Sequence, residues 1–417
     1  MSTTAKNSER LAALAAAISL LVSLALTGPA ARAAADKEAG ELEVRVGETV
    51  EISSSYRYCW MTTIHQFATG EIMATMDLSP DETNPEGDFS AYCLSRDGGR
   101  TWSPRHTMGS GATTDGAWSQ YPHPDGTLWQ LWGFVEPDPA GQAQQFHLTL
   151  TKFRRGGMEF TQVRDVPLRL AQPAQSTDTL LADRLVRDAT LAKQPVVVPF
   201  GPILKGLNGD LMAPLYYTAE RDPGYYRLVL IRSRDGGKTW NEYSTMAAIA
   251  PGEKPWPWMG EDGPCEAGMV RLADKRLLTI FRTGSKGFLG QAWSADDGKT
   301  WTPPTSVGYR GVAPRVRRLS NGVLACITGR PGPVVVLFSV DGTGEKWSNV
   351  TEIFSGLPTV HYQGGRTSKN YNDLIELEPG KLLVVYDSIP YYGSPIPVAD
   401  KDSKNAVYGT FVYVRKK

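Results

Sequence analysis

Residues 233–240 read SRDGGKTW, and the reading of that octapeptide decides the fold. Ser233 and Asp235 carry short oxygen-bearing side chains that can hydrogen-bond N–H groups of their own turn. Gly236 and Gly237 can take φ > 0, and Trp240 can pack beneath. The stretch recurs as SRDGGRTW from Ser95 and SADDGKTW from Ser294, with a looser copy, SVDGTGEKW, from Ser339. A turn repeated at wide intervals marks a repeating supersecondary unit.

Working outward, a second pattern precedes most copies: apolar strand, tight turn, apolar strand. It occurs as TTIHQFATGEIMATM (62–76), SQYPHPDGTLWQLW (119–132), GPILKGLNGDLMAPLYY (201–217), GMVRLADKRLLTIF (268–281), RVRRLSNGVLACIT (315–328) and NDLIELEPGKLLVVY (372–386). Five of these turns contain the glycine that tight hairpins favour; the fourth, ADK at 273–275, does not. Six units of roughly 45 to 80 residues, each a hairpin extended by a second strand pair, predict an all-β fold. The expected form is a six-bladed β-propeller of four-stranded antiparallel blades, whose radial closure protects the sheet edges.

Composition agrees with many short strands and turns: eleven Trp, seventeen Tyr and frequent Gly and Pro. Lys plus Arg equals Asp plus Glu at 44 each, with no basic block, which argues against nucleic acid or an anionic membrane surface as partner. Residues 1–35 are set apart. Lys6 and Arg10 precede LAALAAAISLLVSLAL and then GPAARAAAD, the pattern of a secretory signal peptide cleaved after Ala33 or Ala35. The run is short and ends at Gly28-Pro29, unlike an anchor, and no later stretch is apolar enough to span a bilayer. The expectation is a secreted or periplasmic protein with one domain over residues 36–417. Cys59, Cys93, Cys265 and Cys326 lack Cys-x-x-Cys spacing and the five histidines are scattered, so neither a metal nor a cofactor is expected. Export permits disulfides; Cys59 with Cys93 is the first pair to test, and buried free thiols are the equal alternative.

In such blades the first strand starts, and the second ends, on one face. Residues at those points surround a single mouth. Glu266 and Arg282 bracket the fourth hairpin in this way. Arg57 and Asp77 bracket the first, Arg315 and Arg330 the fifth, Tyr371 and Asp387 the sixth. Several arginines converging on one pocket ask for an anion, because guanidinium forks grip a carboxylate bidentately.

The S-x-D-x-G-x-T-W turn resembles the Asp-box, and with six such units the mature chain resembles the sialidase superfamily throughout. The box is a structural turn, so its Ser, Asp and Trp are expected to be structural. The resemblance implies a site in which three arginines hold the sugar carboxylate, a tyrosine attacks the anomeric carbon and a glutamate takes its proton. CEAGMVRLADKRLLTIFR (265–282) supplies Glu266 and Arg282, TGRPG supplies Arg330, YRYCW supplies Arg57, and NYNDL supplies Tyr371. VVYD ends in Asp387 where the family has Glu, with Asp387 orienting the first arginine and Asp77 in a supporting place. A neutral phenol suits a substrate whose own carboxylate would repel an anionic nucleophile.

The first blade departs from the pattern. Arg57 lacks the Ile-Pro that follows it in the family, and the acid/base aspartate would fall near Asn84, in a loop holding Asp81, Glu82, Glu86 and Asp88. Asp88 or Asp81 is the candidate. Trp118, Trp132, Tyr216, Tyr217 and Glu220 are expected to line the mouth, and WPWMG (256–260) to form a rigid loop beside it. The expected activity is removal of terminal sialic or related nonulosonic acid from a glycan. A propeller acting on another acidic sugar, by hydrolysis or elimination, and a non-catalytic glycan-binding propeller are the alternatives.

Overall fold

The computed structural model describes residues 42–55, 59–78, 89–107, 119–131, 135–138, 144–154, 159–175, 195–222, 224–330, 333–355, 371–388 and 405–417. The expected signal peptide, residues 1–35, lies outside them. Among the described residues the regular elements are all β-strands, arranged in five sheets.

Four sheets are four-stranded and antiparallel. The first runs Trp60–Gln66, Ile72–Leu78, Phe89–Ser95, His106–Thr107. The next two run Cys265–Arg271 to Thr305–Arg310 and Val312–Arg318 to Ser348–Phe354, again in chain order. The fourth joins both ends of the chain: Asn372–Glu378, Lys381–Ser388 and Asn405–Lys416, then the N-terminal strand Leu42–Ser55. That last pairing extends from Leu42↔Lys416 to Ser55↔Asn405. The fifth sheet has ten strands, between Ser119 and Ala247. Its two antiparallel halves meet where Glu159–Arg169 and Trp240–Ala247 pair in parallel through Leu168↔Trp240 and Arg169↔Asn241.

Burial grades outward along each sheet. Leu277–Arg282, Leu324–Gly329 and Val334–Ser339 are buried at every position, as expected of strands covered on both faces. The last strands, Thr305–Arg310 and Ser348–Phe354, have no fully buried position. Neighbouring sheets meet through their first strands. Cys265–Arg271 packs on Val312–Arg318, which packs on Asn372–Glu378, which packs on Trp60–Gln66.

The repeated turns form as the sequence predicts. Asp235 accepts hydrogen bonds from Ser233 Oγ (2.8 Å), Thr239 N (3.0 Å) and Thr239 Oγ1 (2.7 Å), while Ser233 Oγ accepts from Gly237 N (2.8 Å). Trp240 is fully buried below. Asp97 and Asp296 repeat the scheme, and Asp341 repeats it with Ser339 and Thr343. All four cysteines are buried free thiols, so Cys59 and Cys93 are not bridged. Burial pushes the Cys59 thiol up to about 12 and the Cys93 thiol up to about 11.

Candidate functional site

Register fixes which end of each sheet carries the site. Cys265 pairs with Arg282, Val312 with Gly329, Asn372 with Tyr386 and Trp60 with Asp77. The start of each first strand is therefore level with the end of its second. Three first strands are bulged there, between Trp60 and Thr63, Cys265 and Ala267, and Val312 and Arg315. The bulges place Met61 (φ 54°), Glu266 (φ 36°) and Ala313 (φ 45°) in a region that costs a side-chain-bearing residue about 1–3 kcal/mol. Arg330 lies there too, at φ 45°. The strain re-aims backbone N–H groups across sheet boundaries. Ala313 N donates to Glu266 Oε2 at 3.0 Å, and Met61 N donates to Asp387 Oδ2 at 3.1 Å.

Glu266 is the centre. Its Oε1 accepts from Tyr371 Oη at 2.6 Å and from Arg282 Nη1 at 2.6 Å. Burial alone would push its carboxyl up, but Arg282, Arg330 and the hydrogen bonds from Tyr371 and Ala313 outweigh it and hold the group below the usual carboxylate range. Tyr371 shifts the other way. Burial and the Glu266 charge raise its phenol well above the ordinary value against the opposing pull of Arg282 and Arg330. The pair thus rests as a neutral phenol donating to a carboxylate. Phe200 supports it from below: its ring centroid lies 6.4 Å from that of Tyr371, and it carries the Arg315 guanidinium at 4.4 Å on its face.

The other amino group of Arg282 has a partner that the sequence reading missed. Nη2 donates to Asp262 Oδ2 at 2.6 Å and to Ser285 Oγ at 3.2 Å. Asp262 comes from the irregular stretch before Cys265–Arg271, which is fastened to the segment after Arg282. Asp262 N and Gly263 N both donate to Thr283 O at 3.1 Å, and Gly260 N donates to Thr283 Oγ1 at 3.1 Å. A Cβ on Gly287 would lie 2.4 Å from Gly260 N, so the two segments approach as closely as glycine permits. Trp256 and Trp258, from the WPWMG stretch, stack on each other at 5.1 Å, and Trp256 leans on Phe281, anchoring this segment. The available signal was an acid four residues before Glu266, but nothing in its spacing named Arg282 as its partner.

Of the remaining sequence-predicted residues, Arg330 is half-buried and within electrostatic reach of both Glu266 and Tyr371. Asp387 is buried beneath Met61, and Asp77 is buried with Ser90 Oγ donating to it at 3.0 Å. Tyr216 is buried beside Glu266 and Tyr371. Tyr217 corrects the expectation: strand alternation turns it to the opposite side, where its hydroxyl donates to Glu242 at 2.8 Å. Glu220 is exposed in the turn beyond that strand. Arg57, Asp81, Asp88, Trp118 and Trp132 lie outside the described residues.

Chemically, the arrangement offers a phenol oxygen with a base already on its proton, beside two arginines. Residues 120–384 match the family described as a BNR repeat-like domain. A Dyadobacter fermentans protein of unknown function superposes with TM-score 0.63 at 18% identity, covering 89% of this chain and 99% of that one. A Hadza microbial sialidase gives TM-score 0.57 at 15% identity, over 85% of this chain and 65% of its own. A Penicillium chrysogenum α-L-arabinanase complexed with arabinobiose gives 0.57 at 14%, over 88% and 98%. Comparison with curated protein sequences gives no match. The family match spans more than half of the chain, and the chain belongs to the BNR repeat-like domain family, with a propeller-like fold shared with these solved structures.

Proposed function

We propose that this protein is a retaining exo-glycoside hydrolase whose nucleophile is Tyr371 and whose base is Glu266. The observation that carries the reading is the 2.6 Å hydrogen bond from Tyr371 Oη to Glu266 Oε1, between a neutral phenol and a carboxylate that neighbouring arginines keep ionised. A binding protein would have use for the arginines but none for that pair. In the first step the phenol oxygen bonds to the anomeric carbon, its proton passes to Glu266, and the glycosidic C–O bond breaks. The leaving oxygen takes a proton from an acid, assigned to Asp88 on the resemblance. Water then releases the sugar and Tyr371 recovers its proton. The same reading counts six blades, the ten-stranded sheet being two four-stranded blades bridged at Leu168↔Trp240 with the two-residue strands Glu136–Pro137 and Leu204–Lys205 added at their sides, and treats residues 1–35 as an export signal.

For the substrate, a terminal sialic or related nonulosonic acid suits a neutral nucleophile and the arginines Arg282, Arg330 and Arg57. A second reading, a neutral sugar, is favoured by Asp262, whose carboxylate already occupies one arm of Arg282. A fluorogenic sialoside and an aryl α-L-arabinofuranoside separate the two. In either case Tyr371→Phe keeps the ring and deletes the attacking oxygen. Turnover should fall by about a thousandfold or more with the melting temperature within a degree or two. Turnover by Tyr371→Phe at the wild-type rate would sink the proposal.

A further inference from the structure

Arg282 has two amino groups, and the protein's own carboxylates hold both. Nη1 is on Glu266 and Nη2 on Asp262, each at 2.6 Å. One positive charge therefore faces two negative ones, and Arg282 resembles a strut between two acids more than an open grip for a third. The pair is nevertheless within reach of solvent: the Asp262 and Arg282 side chains are 14% and 10% exposed.

Asp262 is a fixed occupant. Its N–H donates to Thr283 O, and its own carbonyl accepts from Tyr226 N at 2.9 Å, so the residues flanking the strands Leu277–Arg282 and Arg227–Ser233 hold its backbone on both sides. Gly263, next in the chain, has φ +80° and would press a Cβ within 2.8 Å of Tyr225, which pins the turn that aims the carboxylate. Glu261 is within electrostatic reach of Arg282 but accepts instead from Ser285 N at 3.0 Å and Lys286 N at 3.4 Å, which leaves Asp262 as the acid of this pair that hydrogen-bonds the guanidinium.

An anionic sugar approaching Arg282 thus meets a carboxylate already in its place. It must displace that group or bind beside it against like charge in a poorly screened site. A sugar hydroxyl meets no such penalty, because a carboxylate accepts hydroxyl donors. We propose that Asp262 is a specificity-determining residue: it withdraws Arg282 from the recognition of anions and biases this side of the pocket toward sugars that present hydroxyl groups. The inference rests on the reading of the pocket as a sugar site, and it deepens that reading by naming the residue that sets the charge preference.

The test compares two ligands that differ by one charge, 2,3-didehydro-2-deoxy-N-acetylneuraminic acid and its methyl ester, by titration calorimetry on the whole protein. In Asp262→Asn an amide oxygen still accepts from Arg282 while the charge is gone. The acid should bind at least tenfold tighter than to wild type and the ester within about twofold. Asp262→Ala should move the acid in the same direction and guards against an effect peculiar to the amide. Acid binding unchanged in both variants, equal tightening of acid and ester, or no acid binding by any of the three proteins overturns the inference. Cleavage of a sialoside by wild type, with acid affinity unmoved by Asp262→Asn, would remove Asp262 from specificity while leaving Tyr371 and Glu266 in place. Tighter acid binding by a protein that cleaves neither glycoside would do the reverse.

Discussion

Asp235 and Glu266 are both carboxylates at the ends of strands, on opposite faces of the molecule, and they find their partners in opposite ways. Asp235 takes its hydrogen bonds from within its own turn, the farthest from Thr239, four residues on. Glu266 takes its bonds from Arg282, Ala313 and Tyr371, at separations of 16, 47 and 105 residues. Asp235 is exposed, whereas Glu266 is 4% exposed on a strained backbone. A carboxylate satisfied by its own turn holds that turn. One that draws partners from three sheets into a buried, strained position does little that an apolar residue could not do for stability, and its presence is explained by chemistry.

The largest break in that comparison should come from Arg282→Lys. An ammonium on a flexible stem is a point charge and cannot bridge Glu266 and Asp262 as the planar fork does. One buried carboxylate then loses its partner. Breaking a buried pair outright costs about 3–5 kcal/mol, and with the charge retained we expect about 2 kcal/mol, read as a shift in the denaturation midpoint. Turnover should fall with it, since Glu266 loses part of what keeps it ionised. A variant as stable as wild type would show that Arg282 braces neither acid.

Legibility followed the same division. The turns were readable because each is complete in eight or nine residues: Ser, Asp, Gly and Trp sit at the spacing that one turn requires. The mouth was readable in part, because the hairpin rule levels the start of one strand with the end of the next. It put Glu266, Arg282 and Tyr371 on one mouth, where Tyr371 bonds to Glu266, but it expected Arg282 to face a sugar carboxylate rather than Glu266 and Asp262. The rule failed where it was applied without regard to alternation, as at Tyr217, which follows Tyr216 and must face the other way. It could not reach Asp262 at all, because that residue lies on an irregular segment placed by tertiary contacts with Thr283 and Tyr226 rather than by strand period.

A smaller effect should sharpen the other side. Burial opposes ionisation of Asp235, but the Thr239 side-chain and backbone bonds with those from Ser233 and Lys238 together outweigh it and lower its carboxyl to about 2. A depressed carboxylate contributes stability that is present above its unfolded value, near 4, and is lost as pH falls through about 2. Asp235→Asn should therefore cost about 1 kcal/mol near neutral pH, mostly from hydrogen bonds, because solvent screens the charge of so exposed a group. The gap from wild type should narrow as pH is lowered from about 4 to 2. A gap that is constant over that range would mean that the turn does not use the charge.

The smallest effect concerns the one hairpin turn of the six that lacks glycine. Lys275 N donates to Leu272 O at 3.1 Å, the bond that Gly70, Gly126, Gly209 and Gly322 make in their own turns at 2.8–3.0 Å. Those glycines have φ of 84–94°, and Lys275 has been forced to 72°. A left-handed conformation costs a residue with a Cβ about 1–2 kcal/mol, while a glycine there gives back about 0.5–1 kcal/mol through the entropy of the unfolded chain. Lys275→Gly should therefore stabilise by about 0.5 kcal/mol, close to a degree in melting temperature for a chain of this size. Lys275→Ala keeps the Cβ and the strain, so it should leave stability where it is. The Arg271 contact is to the Lys275 carbonyl, at 3.0 Å, and survives both changes. Activity should not move in either variant, because this turn is on the face away from Glu266. If Lys275→Gly destabilises the fold or alters turnover, the two faces are coupled and the division between turn chemistry and mouth chemistry is wrong.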